Sequence, residues 1–233
     1  MAEKIVGILG GMGPDATVDL FQKILRATPA TRDQEHLRII VDCNSKIPDR
    51  TAHIISGAED PWPYLHESAQ LLERAGVNLI VIPCNAAHNW HDRIQASVKV
   101  PVLHIMQATA DHVQANYPSV TKVGLLAVPA TVKVGLYHRA FANHGIEVIA
   151  PDKEHQELTT KAIFAVKAGD SGPEVTALLI KAGEHLIVQG AQAVVAGCTE
   201  IPLVLKDGDL SVPVIDATRA LATAAVKMAR GED

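Results

Sequence analysis

A segment near the middle of this chain returns later, and that return constrains the fold more than any other feature. Gly76-Val-Asn-Leu-Ile-Val-Ile-Pro-Cys84 reappears as Gly190-Ala-Gln-Ala-Val-Val-Ala-Gly-Cys198, 114 positions on. Ala16-Thr17 and Ala130-Thr131 keep the same offset. Val100-Pro-Val-Leu-His-Ile105 and Val212-Pro-Val-Ile-Asp-Ala217 lie 112 apart, and Val6-Gly7-Ile8-Leu9 and Val123-Gly124-Leu125-Leu126 lie 117 apart. Matched landmarks at a nearly fixed offset indicate a duplicated unit. Within each half, short Val/Ile/Leu runs alternate with amphipathic stretches. Such alternation builds parallel sheets covered by helices on both faces. The expected fold class is therefore α/β, with two similar Rossmann-like lobes related by a pseudo-twofold axis and the active site in the cleft between them. The first lobe is expected to span 1–105 plus 213–233 and the second 106–212.

Strands are predicted over 5–9, 37–41, 79–82, 102–105, 123–128, 148–150, 193–196 and 214–215. Helices are predicted after Asp15 and over 64–75, 86–97, 107–116, 132–144, 157–167, 173–189 and 218–230. A chain of 233 residues, 48% hydrophobic and 20% charged, has enough apolar material for full cores. A net charge of −5 and only 3% aromatic residues exclude a basic, base-stacking surface for nucleic acid. Three cysteines are too few for a disulfide framework and point to a reducing compartment. Met1–Gly13 does not read as a signal peptide, and no apolar run approaches the ~20 residues that span a bilayer. A cytoplasmic protein without membrane or nucleic-acid partners is expected.

The repeat has a chemical consequence. Cys84 and Cys198 each sit just past the C-terminal end of the same strand and open the same helix, at the sheet edge where α/β proteins bind ligands. A thiolate there is favoured by the helix dipole and free backbone N–H groups, which also hold carboxylates. Either cysteine alone reads as a small buried residue. Together, at equivalent points of a repeat, they read as a proton-transfer pair. One removes a proton from carbon and the other returns one to the opposite face. That requires each sulfur about 3–3.5 Å from the reacting carbon, hence sulfurs roughly 6–7 Å apart. Cys43 has no such counterpart and reads as structural.

Three other patterns compete. Gly11-Met-Gly13-Pro-Asp-Ala16 with Asp42 fits a dinucleotide fingerprint, but Pro14 removes an N–H and Asp15 puts negative charge where pyrophosphate would bind. Cys84-x3-His88-x2-His91 offers metal ligands, but its spacing matches no usual zinc pattern, so His88 reads as a local cap and no metal is expected. Arg50, in the turn Pro48-Asp49-Arg50-Thr51, lies at the same sheet edge and suits a second carboxylate, or else is a solvated loop residue. Lys167 either joins it or merely complements a helix C-terminus.

The motifs Gly7-Ile-Leu-Gly-Gly-Met-Gly-Pro-Asp-Ala-Thr17, Pro83-Cys-Asn-Ala-Ala-His88 and Gly197-Cys-Thr-Glu-Ile-Pro202 resemble those of the aspartate/glutamate racemase family, and the glycine-rich start resembles its aspartate racemase branch. The resemblance runs over essentially the whole chain. It implies racemisation of aspartate, with glutamate or other amino acids alongside, and Cys84 and Cys198 as the two acid–base residues. It implies substrate contacts from Met12, Arg50, Asn85, Ala86, Lys167 and Thr199, with Arg50 and Lys167 facing the side-chain carboxylate. It also implies a homodimer acting on a small dicarboxylic amino acid without pyridoxal phosphate, metal or other cofactor. Two departures bear on substrate choice: Ala86 stands where the family often has threonine, and Phe164 where a tyrosine is common. Isomerisation or lysis of a dicarboxylate such as maleate on the same fold is an alternative, as is a binding protein without catalysis, which would need neither thiol.

Overall fold

Val6–Gly10 is an unbroken apolar run and forms β1, the buried central strand of the first sheet. The structure is a computed structural model that describes residues 4–232. After β1 come α1 (Pro14–Ala27), β2 (Ile39–Cys43), α2 (Arg50–Ser56), α3 (Trp62–Arg74), β3 (Leu79–Val81) and α4 (His91–Ser97). Then follow α5 (Ile105–Asn116), β4 (Lys122–Leu126), α6 (Pro129–Val134), α7 (Leu136–Ala142), β5 (Glu147–Ile149), α8 (Lys153–Lys167) and α9 (Pro173–Val188). The chain closes with β6 (Ala193–Ala196), α10 (Ile201–Val204), β7 (Val214–Asp216) and α11 (Ala217–Arg230). Short 3-10 turns occupy Asp33–Glu35 and Ala86–Trp90. Among the described residues, no helix is long and apolar enough to cross a membrane.

The chain falls into two units. One holds the residues up to Ile105 together with those from Thr218 onward, and the other is Met106–Ala217. In the first, the strands run parallel in the order β2-β1-β3, and a single bridge from Ile80 to Val102 extends the sheet beyond β3. In the second, also parallel, the order is β5-β4-β6-β7. The two orders correspond strand for strand, with the 102 bridge standing where β7 stands. Details repeat as well. Ile80 N–H donates to Pro101 O and Val194 N–H to Pro213 O, both at 2.9 Å. Gly76 and Gly190 both take positive φ, 82° and 93°, where the chain leaves a helix for the strand. The Asn78 side chain accepts from Ile5 N–H, and Gln192 accepts from Thr121 N–H, each at 2.7 Å.

Helix ends follow local chemistry. Proline opens α1, α6 and α9, where its missing N–H costs nothing. Asp49 caps α2 through Ala52 N–H at 2.7 Å, and Asp152 caps α8 through His155 N–H at 3.0 Å. In the second unit α8 turns Thr159, Ala162, Ile163 and Val166 inward, and α9 turns Val175, Leu179, Ala182 and Leu186.

Several expectations are corrected. The strand predicted over 102–105 shrinks to one bridge, because the chain enters α5 already at Ile105. The helix predicted over 132–144 is two helices, α6 and α7, separated by Gly135 in the left-handed region at φ 73°. The helix predicted over 86–97 begins as a 3-10 turn. The lobe boundary expected at 212/213 falls later, because β7 is hydrogen-bonded to β6 and so holds Val214–Asp216 in the second unit.

Candidate active site

In the first unit the glycine turn after β1 is folded by one hydroxyl. Thr17 Oγ1 accepts from Gly11 N–H at 2.8 Å and donates to Gly13 O at 2.9 Å. Gly11 has φ 90°, and a Cβ there would stand 2.3–2.6 Å from the backbone of Asn44. The turn therefore lies directly against the chain leaving β2, a closeness that only glycine permits. Met12 is buried in this turn, and its carbonyl accepts from Arg50 Nη2 at 3.4 Å. Arg50 Nη1 donates to Ile47 O and Pro48 O at 3.1 and 2.9 Å, while its Nε, also buried, has no partner. Arg50 is the first residue of α2 and only 9% exposed, so the solvated-loop reading does not hold. Among the described residues no carboxylate forms an ion pair with it. A guanidinium held by carbonyls alone, with a spare donor, has the chemistry to receive an anion.

Cys84 follows β3 by three residues and is buried, as is Asn85; Ala86, half-buried, begins the 3-10 turn. His88 fixes this segment. Its Nδ1 lies 2.9 Å from Cys84 O, and its Nε2 accepts from Ile105 N–H at 3.1 Å. That pairing specifies the neutral tautomer with the proton on Nδ1. Burial, with His104 nearby, pushes the His88 pKa down to about 3. Both nitrogens thus serve backbone groups, as a local cap would. His91 Nε2 is likewise engaged, 2.8 Å from Val102 O.

In the second unit Cys198 follows β6 by two residues and is buried. Gly197 before it has no room for a side chain: a Cβ would meet Leu125 Cδ1 at 2.4 Å and the Tyr137 ring at 3.2 Å. Burial pushes the Tyr137 phenol well above its ordinary range, against a hydrogen bond with Thr109, so it stays neutral. Cys198 Sγ donates to Glu200 Oε2 at 2.9 Å, and Thr199 Oγ1 donates to the same oxygen at 3.4 Å. Lys167 Nζ stands 3.9 Å from Glu200 Oε1 and 5.6 Å from the centre of the Phe164 ring. Glu200 is only 4% exposed. The structure thus gathers Lys167, Cys198 and Thr199 around a buried carboxylate that the residue patterns mentioned only as part of a motif.

The helix-dipole argument for the cysteines is corrected. Cys84 precedes a 3-10 turn and Cys198 a helix of four residues, too short for much dipole. Around Cys198 the local electrostatics come from Glu200 and Lys167 instead. Cys43, read as structural, is exposed at the end of β2 and packs in no core.

Residues 9–225 match the model of the Asp/Glu/Hydantoin racemase family. The chain belongs to that family. It is 29% identical to the broad specificity amino-acid racemase RacX of Bacillus subtilis over 95% of this chain and 96% of the relative. Among solved structures it resembles the aspartate racemase of Picrophilus torridus, with a TM-score of 0.86 and 31% identity over 97% of this chain and 94% of that one. An aspartate racemase homologue from Pyrococcus horikoshii matches with a TM-score of 0.78 and 26% identity over 98% and 99% of the two chains. Membership in this racemase family agrees with a two-lobed α/β architecture and places the chain among amino-acid racemases.

Proposed function

We infer that the protein interconverts L- and D-aspartate without a cofactor, and that Cys84 and Cys198 exchange protons with opposite faces of one α-carbon. The observation that carries the reading is positional. Both cysteines are buried, and each follows the corresponding strand, β3 or β6, of two sheets with the same strand order. One thiolate takes the α-proton and leaves a carbanion delocalised into the α-carboxylate. The opposite thiol then donates its proton to the other face. The two sulfurs have exchanged charge states, and proton exchange with water resets them. Glu200 is the group suited to take and return the Cys198 proton, with Lys167 offsetting its charge. Thr199 and the turn Cys84-Asn85-Ala86 are assigned to the α-carboxylate. Arg50, beside Met12, and Lys167 are assigned to the side-chain carboxylate.

A broader substrate range has support of its own. RacX, similar over nearly its full length, carries a broad-specificity name, and Phe164 places an apolar ring beside Lys167. A chiral assay over all amino acids decides between the two ranges. Aspartate turning over well ahead of alanine supports the dicarboxylate reading, and comparable rates support the broader one.

The mechanism is tested in deuterated water. Cys84→Ala and Cys198→Ala abolish racemisation, while each still exchanges the α-proton of one enantiomer, a different one in each variant. Racemisation surviving both single replacements defeats the two-thiol scheme. Glu200→Gln keeps the shape and removes the charge; kcat is expected to fall about 10²–10⁴-fold. Because the equilibrium constant of racemisation is unity, kcat/KM must fall equally in both directions. Unchanged kinetics would remove Glu200 from the proton path.

A further inference from the structure

On the second unit, outside both cysteine motifs, Asp152, His155 and His185 converge. We propose that these three side chains bind a borderline-soft divalent cation such as zinc or nickel. His155 Nδ1 lies 2.7 Å from Asp152 Oδ1, and His185 Nε2 lies 3.4 Å from Asp152 Oδ2. One ligand atom from each residue falls within 4.8 Å of the other two. Ligands on one tetrahedral zinc, each about 2.0–2.1 Å from the metal, stand roughly 3.3 Å apart. The two separations, each to a different Asp152 oxygen, bracket that value, and the two imidazoles must rotate out of their stack to bring both nitrogens onto one ion.

The arrangement is prepared by the fold. Asp152 is the N-cap of α8 and His155 lies in its first turn, while His185 lies in the last turn of α9. The two helices are packed along their apolar faces, so the ligands hang from a rigid pair. The imidazole rings stack at 3.8 Å between centres and 9° between planes. Their side chains are only 16% and 18% exposed. Two imidazoles and one carboxylate suit zinc, nickel, cobalt or copper better than magnesium or calcium. Three protein ligands leave a fourth position for water.

Gln189 Nε2 lies 2.9 Å from His185 Nε2 and must turn aside when the ion arrives. The nearby Lys181 already pairs with Glu154 at 3.5 Å, which offsets its charge. The fifteen residues of α8 span about 20 Å from this end to Lys167. The ion would therefore clamp α8 to α9 and take no part in chemistry at Cys198. The proposal does not depend on the racemase mechanism.

The test uses the full-length protein with its three cysteines blocked by iodoacetamide, so that thiols do not compete. Cobalt(II) is titrated and followed by calorimetry and by its visible absorption. One equivalent is expected to bind with nitrogen/oxygen-type bands and to raise the melting temperature. His155→Ala and His185→Ala should each weaken binding at least tenfold. Asp152→Asn, which keeps a capping side chain and hence the helix, should also weaken it. Absence of saturable binding, or unchanged affinity in the His155→Ala/His185→Ala double variant, overturns the proposal.

Discussion

His88 shows how completely surroundings decide the work of a residue type. Its neighbour in sequence, Asn89, is exposed, yet His88 is 2% exposed with both nitrogens on backbone groups. Its pKa of about 3 makes it a stability element with a definite pH sign. The unfolded chain takes up the proton near 6.5, while the folded chain resists until about 3. The unfolded state therefore binds more protons between those values. Stability from His88 is complete above pH 6.5 and is lost as pH falls toward 3, a contribution on the order of several kcal/mol. Denaturant unfolding between pH 3.5 and 7 should show wild-type stability falling steeply on the acid side. His88→Gln, less stable at neutral pH, should show a flatter dependence. Parallel curves would mean that other groups carry the acid sensitivity. Glu200 makes the converse point. It lies inside a cysteine motif, but its ion-pair partner, Lys167, lies on α8, over thirty residues away. Spacing along the chain could nominate the cysteine and not the carboxylate its thiol donates to.

At the scale of elements, the strands were legible because each is a short apolar run ended by glycine, proline or a polar residue. That the two sheets are alike was implicit in the repeat, whereas their strand order was not. The helix termini were less legible than the strands. Gly135 inside an apolar pattern costs a helix only about 1 kcal/mol, so the pattern alone gives no reason to end α6 there. Arg50 was legible as a candidate, but its setting was not, since burial depends on Met12 and Ile47 folding over it. The glycine turn illustrates how an element is held. Thr17, the residue the repeat matches with Thr131, ties the turn to α1 through Gly11 N–H and Gly13 O. Thr17→Val preserves the shape and leaves the Gly11 N–H buried without an acceptor, a loss of about 1–3 kcal/mol. Because Met12 and Arg50 meet in this turn, the variant should also raise KM for a dicarboxylate more than it lowers kcat. Chemical unfolding and steady-state kinetics check both. A variant as stable as wild type would show that the turn does not depend on that hydroxyl.

At the scale of the whole molecule, the two units differ in how the chain builds them. Met106–Ala217 is continuous, whereas the first unit needs the C-terminal segment from Thr218 to complete it. That segment, most of α11, is amphipathic. Leu221, Ala222, Ala225, Val226 and Ala229 are buried, while Arg219, Lys227 and Arg230 face solvent. Lys4 Nζ donates to Met228 O at 3.1 Å, joining the start of the first sheet to the end of the chain. Burying Leu221 and Val226 alone contributes roughly 3–6 kcal/mol. Against a total of about 5–15 kcal/mol for a folded protein, loss of the helix removes much of the margin of the first unit. A chain ending at Ala217 should therefore melt more than about 10 °C below the full-length protein, at about 2–4 °C per kcal/mol for this size. Limited proteolysis of the shortened chain should cut first within residues up to Ile105, the part that lost its covering helix, and later within Met106–Ala217. Cleavage spread evenly over both units, or a melting temperature equal to that of the intact chain, would show that α11 is an appendage and that the first unit closes its core without it.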